Sequence, residues 1–123
     1  MLGQHEVIAF LATSDAPSAR QFYEGALGLR CVEDTPFALV FETRGAMLRI
    51  QKLSAFEPAS HTVLGWSVPD IFAVIDALHR KGVRFARFAG MAQDDLGVWT
   101  APSGAKIAWF KDPAGNVLSL TEF

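Results

Sequence analysis

The sequence predicts an α+β fold of two βαβββ modules, and three observations predict it. A strand-like apolar run passes into a helix through a capping Asp twice, at Asp15 and at Asp70, and each helix ends at a glycine, Gly28 or Gly82. Each helix is followed by strand-length segments separated by turn residues. Between the halves, residues 53–60 contain Ser54, Pro58 and Ser60 and lose all periodicity, which reads as a linker. The organisation is one domain of residues 1–123, with module 1 at about 5–52, the linker at about 53–60 and module 2 at about 61–123.

The elements follow in order. Residues 7–12 are a continuous apolar run, and Thr13, Ser14 and Asp15 are helix N-cap types ahead of Pro17 in the first turn. Ala19, Phe22, Tyr23, Ala26 and Leu27 then fall at helical spacing, so a helix is predicted over 16–27, with Gly28 as its left-handed terminator. Strands are predicted at 29–32, 37–42 and 46–52, divided by Asp34-Thr35-Pro36 and Thr43-Arg44-Gly45. The second half opens with a strand at 62–68 and a helix at about 71–81 whose apolar face is Ile71, Val74, Ile75 and Leu78. Further strands are predicted at 83–88, 97–101, 107–111 and 117–122, the last two joined by the turn Asp112-Pro113-Ala114-Gly115-Asn116.

Composition bounds the function. Half of the 123 residues are hydrophobic, enough for a core without disulfides, and the aromatic set is greasy: 10 Phe and 3 Trp against 1 Tyr. Eleven Lys plus Arg against 13 Asp plus Glu give a net charge of −2 with no run of like charge, which argues against nucleic acid as a partner. No apolar run approaches the roughly 20 residues of a membrane span, so no membrane partner is expected. Met1 is followed by no signal-peptide pattern, and the single Cys31, read as a buried strand thiol, suits a reducing compartment, so a cytoplasmic location is expected. A Gly-rich phosphate loop, Cys-x-x-Cys, Gly-x-Ser-x-Gly and His-Glu-x-x-His are all missing.

The set Asp15, Ala19, Phe22-Tyr23, Leu27-Gly28-Leu29 and, near the end, Phe110-Lys111-Asp112-Pro113-Ala114-Gly115-Asn116 resembles the vicinal oxygen chelate superfamily. That superfamily includes glyoxalase I, extradiol dioxygenases, methylmalonyl-CoA epimerase and bleomycin-binding resistance proteins. The resemblance implies that the two βαβββ modules form a curved mixed sheet around a cavity, and that two copies pair as a homodimer. It also implies where a metal is held in metal-dependent members: one ligand on the first and one on the last strand of each module, leaving two positions for a substrate's adjacent oxygens.

Carried over residue by residue, those positions fall on Ile8, about Arg49, Val63 and about Ser119. Two aliphatic side chains, a guanidinium and a hydroxyl do not hold a divalent cation, so no cofactor is predicted. A displaced site built from His61, Gln51 and Glu122 is the less favoured alternative. His79, beside Arg80 and Lys81, reads as an exposed charge at a helix C-terminus.

Strand alternation aims Ile8, Phe10 and Ala12, then Met47, Arg49 and Gln51, then His61, Val63 and Gly65, then Val117, Ser119 and Thr121 at one face. Simple register across the last turn adds Trp109 opposite Ser119, and Trp99 joins it if its strand keeps the same parity, whereas Trp66 belongs to the core. The candidate ligand-binding residues are therefore Phe10, Arg49, Gln51, His61, Val63, Trp99, Trp109 and Ser119; no catalytic residue is assigned. A guanidinium among apolar side chains needs a counter-charge, either internal, from Asp94, Asp95 or Glu122, or a ligand's carboxylate, phosphate or enolate oxygen. Residues 90–97, polar and flanked by glycines, form either a lid or a solvated hairpin loop.

The leading expectation is a metal-free protein that binds a small-molecule ligand, apolar or aromatic with an anionic or polar end near Arg49. One rival is a lyase, isomerase or dioxygenase-like enzyme of the same superfamily; another is a non-enzymatic interaction module whose cavity its own side chains fill.

Overall fold

A computed structural model describes residues 1–123. The chain divides into two compact units, Met1–Pro58 and Ala59–Phe123, and the division lies inside the 53–60 segment. Each unit holds a four-stranded mixed sheet with one helical crossover, an α+β architecture.

In the first unit β1 (Val7–Thr13) leads to α1 (Ala16–Arg20), followed by β2 (Arg30–Asp34), β3 (Ala38–Thr43) and β4 (Ala46–Lys52). The sheet order is β1-β4-β3-β2, with β1 parallel to β4 and the other pairs antiparallel. Asp15 caps α1 as its position predicts, its carboxylate accepting from the Ser18 amide at 3.2 Å and the Ser18 hydroxyl at 2.7 Å. The helix expected over 16–27 is α-helical only to Arg20. From Gln21 to Ala26 it widens into a π-helical segment, where the Leu27 amide donates to the Phe22 carbonyl at 2.9 Å. Gly28 then takes φ 72°, a conformation that closes the helix and that a side chain resists.

Register explains the core. Leu11, Ile50 and Leu39 lie in one row across three strands, and Phe41 pairs with Leu48 in the next. All five are buried against the helix side, where Tyr23 is fully buried with its ring 5.7 Å from Phe41. The intervening positions Ile8, Phe10, Met47, Arg49 and Gln51 therefore occupy the opposite face. Cys31 pairs with Phe41 but is only half-buried, correcting the expectation of a buried thiol: β2 is an edge strand, and a bulge between Cys31 and Glu33 disrupts its end.

Asp34, at the end of β2, accepts hydrogen bonds from the Lys52 ammonium and from Arg20 at 3.2 Å. The Lys52 hydrogen bond chiefly, with Arg20 adding to it, holds the Asp34 carboxyl below its ordinary pKa. Because the folded value is the lower one, the carboxylate stabilises the fold fully above the unfolded value of about 3.9. This is lost as pH falls through the lowered value. Urea midpoints of the parent and of Asp34→Asn are expected to differ at neutral pH and to converge on acidification; parallel curves would contradict the pairing.

In the second unit β5 (Thr62–Ser67) leads to α2 (Ile71–Arg80), then β6 (Trp99–Thr100), β7 (Lys106–Lys111) and β8 (Val117–Glu122), in the order β5-β8-β7-β6. Asp70 caps α2 by accepting from the Ala73 amide at 3.2 Å, and Glu122 accepts from the Ile71 amide at 3.0 Å. Ile71, Ile75 and Leu78 of α2 are buried with Ala108, Phe110, Leu118 and Leu120 of the sheet. Trp66 lies on this side too, half-buried and stacked on Phe110 at 6.4 Å. His79 is exposed at the end of α2, its ring edge-on to Phe85 at 5.5 Å.

The strand expected at 83–88 is not formed; only Phe85 bridges to Phe110. The reason lies in Gln93, whose side chain takes the backbone groups a neighbouring strand would use. Its amide donates to the carbonyls of Ala86 at 3.0 Å and Gly97 at 2.8 Å, and accepts from the Phe88 amide at 2.8 Å. Asp94 likewise accepts from the amides of Leu96 and Val98, both at 2.9 Å, and the Arg87 guanidinium donates to the Asp94 carbonyl. The side chains of Gln93 and Asp94 thus tie the loop of residues 90–97. The β7–β8 turn is closed in the same manner, with Asp112 accepting from the amides of Ala114 and Asn116 and from the Asn116 side chain.

Candidate functional site

Each unit presents a sheet face turned away from its helix, and the predicted site residues distribute between the two faces. In the first unit Phe10 lies directly beside Arg49, and Gln51 follows two residues on, beside Ala12. Phe10 is 55 % exposed and Met47 is 41 % exposed, so this apolar surface is open. On the other side of Arg49 stands Val40, fully buried. Arg49 is half-buried among these side chains.

The counter-charge of Arg49 is the decisive point. Ion pairs form between Arg20 and both Glu24 and Asp34, between Arg30 and Glu42, between Lys52 and Asp34, and between Arg80 and Asp76. Arg49 is in none of them. Of the acidic residues considered as its counter-charge, Asp94 and Glu122 spend their carboxylates on backbone amides of their own unit. A guanidinium half-buried among apolar groups with no carboxylate partner favours an anion brought from outside.

In the second unit Trp109 faces Ser119, as the turn register predicts, and Ser119 faces Gly65. Trp99 shares the face, its ring 6.4 Å from that of Trp109. Here the first strand corrects the expected alternation. A bulge between Thr62 and Leu64 inserts Val63 as an extra residue, so Thr62 and Gly65 lie on the same face despite their odd separation. The Trp109 indole N–H donates to the Thr62 hydroxyl at 3.0 Å. Val63 is 37 % exposed at the bulge, and His61 lies outside β5, exposed in a bend, where strand parity no longer aims it.

Sequence reasoning missed Thr62, because alternation assumes an unbroken ladder, and Phe88, whose ring lies edge-on to Trp109 at 5.5 Å. The only signal for Phe88 was its hydrophobicity next to a glycine-flanked loop. Gly65 is explained by close approach: a Cβ built there lies 2.5 Å from the Ser119 hydroxyl oxygen. Gly65→Ala is expected to cost about 1–3 kcal/mol through overpacking. In a Ser119→Ala background, where the nearest remaining atom is the 119 carbonyl at 3.4 Å, most of the cost should vanish. A double-mutant cycle by urea denaturation measures the coupling, and additive effects would contradict this contact.

The metal positions implied by the superfamily do not fit a divalent cation. Ile8 and Val63 offer no donor atom, Arg49 is a cation, and no three His, Cys, Asp or Glu side chains converge anywhere in the chain. The displaced alternative has no geometry either: Glu122 lies in the Leu118–Leu120 row on the helix side and caps α2, and His61 is outside the strand.

Comparison with known proteins agrees with this two-unit βαβββ architecture. The family model of the Glyoxalase/Bleomycin resistance protein/Dioxygenase superfamily matches residues 4–120, and the chain belongs to that superfamily. Among solved structures it is similar to a bleomycin resistance determinant encoded on the transposon Tn5, with 18% identity, TM-score 0.75, and coverage of 97% of that chain and 96% of this one. It is also similar to TnmS3, an antibiotic binding protein from Streptomyces sp. CB03234, with 22% identity and TM-score 0.70 over 96% of this chain and 94% of that one. A third similar structure is lactoylglutathione lyase from Agrobacterium tumefaciens, with 18% identity and TM-score 0.74 over 96% of this chain and 92% of that one. At these identities the likeness establishes the fold. No curated protein matches the chain. No helix is long and apolar enough to cross a membrane.

Proposed function

We propose that the chain is a metal-free small-molecule-binding protein that holds an apolar or aromatic ligand against the Arg49 face, the guanidinium fixing the ligand's anionic or polar end. The observation that carries this reading is the half-buried Arg49 beside the open Phe10 ring with no ion-pair partner. Gln51, on the same face, supplies a neutral donor and acceptor next to the charge. Trp99, Trp109 and Phe88 give the second unit an aromatic surface of its own, suited to stacking. Similarity to an antibiotic binding protein and to a bleomycin resistance determinant supports binding as the activity. Pairing of two copies, which the superfamily favours, and a cytoplasmic location, which the single cysteine suits, complete the proposal.

The test uses 2-naphthoate as probe, with binding read by isothermal titration calorimetry. A charge-assisted hydrogen bond contributes about 1.5–3 kcal/mol, so Arg49→Gln is expected to weaken binding roughly 10- to 100-fold. Equal affinity of parent and variant would remove the basis of the reading. Stoichiometric retention of a divalent metal after dialysis, read by elemental analysis, would overturn its metal-free part.

A further inference from the structure

The sheet face that carries Arg49 also carries charge of the opposite sign one row away. Glu42 on β3 stands directly across from Met47 on β4, and Met47 stands across from Ile8 on β1. These residues form the row next to that of Arg49 and Phe10, about 7 Å along the strand. Glu6 lies two residues before Ile8, just outside β1. At this end of the sheet an open-sided cavity of about 400 Å³ is lined by Glu6, Glu42, Val32, Thr43 and Met47, among others.

Glu6 takes part in no ion pair, and Glu42 is held only by Arg30 at 3.4 Å, with side chains 79 % and 62 % exposed. An ion pair so exposed contributes little, and Arg30 can swing into solvent at small cost. Along the face the order is thus Glu6 at the cavity, then the row of Ile8, Met47 and Glu42, with its carboxylate on the β3 side of the two apolar residues, and then Arg49 in the row beyond.

We propose that this face selects zwitterionic ligands, with a cationic end in the cavity between Glu6 and Glu42, a flat apolar body over Ile8 and Met47, and an anionic end at Arg49. The proposal rests on the reading of Arg49 as an anion-binding group and adds a charge requirement at the opposite end of the ligand. A purely anionic ligand lying along β4 would bring an uncompensated apolar end against two glutamates. A purely cationic one would leave Arg49 without a partner. Only a molecule bearing both charges, about one strand repeat apart, satisfies both ends.

Two probes of matching shape separate the ideas: 4-(aminomethyl)benzoate, which carries both charges, and 4-methylbenzoate, which carries only the anion. By calorimetry the aminomethyl compound is expected to bind about tenfold more tightly. The Glu6→Gln, Glu42→Gln double variant is expected to erase that advantage without weakening the binding of 4-methylbenzoate. Glu6→Gln alone, outside any strand and without bearing on folding, should erase part of it. Equal affinities in the parent, or an advantage that survives the double variant, overturn the charge-pair proposal while the Arg49 reading stands. Failure of both probes to bind, or indifference of both to Arg49→Gln, overturns the Arg49 reading and the zwitterion proposal with it.

Discussion

Phe110→Ala is expected to lower the free energy of unfolding by about 3–5 kcal/mol, the usual loss for a large aromatic removed from a core. Phe110 is 1 % exposed, stacks with Trp66 and lies 5.4 Å from Phe85, so its removal leaves a void that three elements would have to collapse to fill. Its neighbour Trp109 provides the internal control. It points to the other face, is half-buried, and has one hydrogen bond to lose, that to Thr62. Trp109→Phe is therefore expected to cost about 1 kcal/mol or less. Denaturant midpoints of the two variants measure the contrast, and equal losses would mean that the facing of β7 is wrong.

Asp112→Ala is expected to cost roughly 2–4 kcal/mol, because one carboxylate serves three donors in a buried turn. Oδ1 accepts from the amides of Ala114 at 3.0 Å and Asn116 at 2.9 Å, and Oδ2 accepts from the Asn116 side chain at 2.8 Å. Asp112 is 6 % exposed and Asn116 is 3 % exposed, so the orphaned donors find no water easily. Thermal unfolding with the far-UV signal reads the loss. A variant as stable as the parent would show that the backbone, with Gly115 at φ 91°, closes the turn unaided.

The parts of this protein that local chemistry determines were legible in the sequence. Asp15, Asp70 and the Asp112–Asn116 turn each work within a few residues of themselves, and the caps and turns lie where those residues are. The facing of Arg49 was legible because β4 alternates without interruption from Ala46 to Lys52. What failed depended on contacts distant in sequence or on irregular pairing. The segment 83–88 has strand-like composition, but Gln93 substitutes for the strand that would pair with it. The Val63 bulge inverts parity at the start of β5, which moved Thr62 onto the Trp109 face and freed His61 from it. That Glu6 and Glu42 line one cavity was invisible for another reason: it requires the order β1-β4-β3, which no local pattern encodes.

The Gln93 arrangement sets how the aromatic edge of the second unit responds to its surroundings. A neutral amide bonded to three backbone groups has no proton to gain or lose and no charge for salt to screen. Phe88, held through its own backbone by that amide, should keep its place beside Trp109 from acidic to alkaline buffer and at high ionic strength. Meanwhile exposed residues at the loop tip, such as Ala92 and Asp95, are open to exchange without disturbing it. The rim is thus a place where surface chemistry can diversify while the aromatic edge beneath it stays constant.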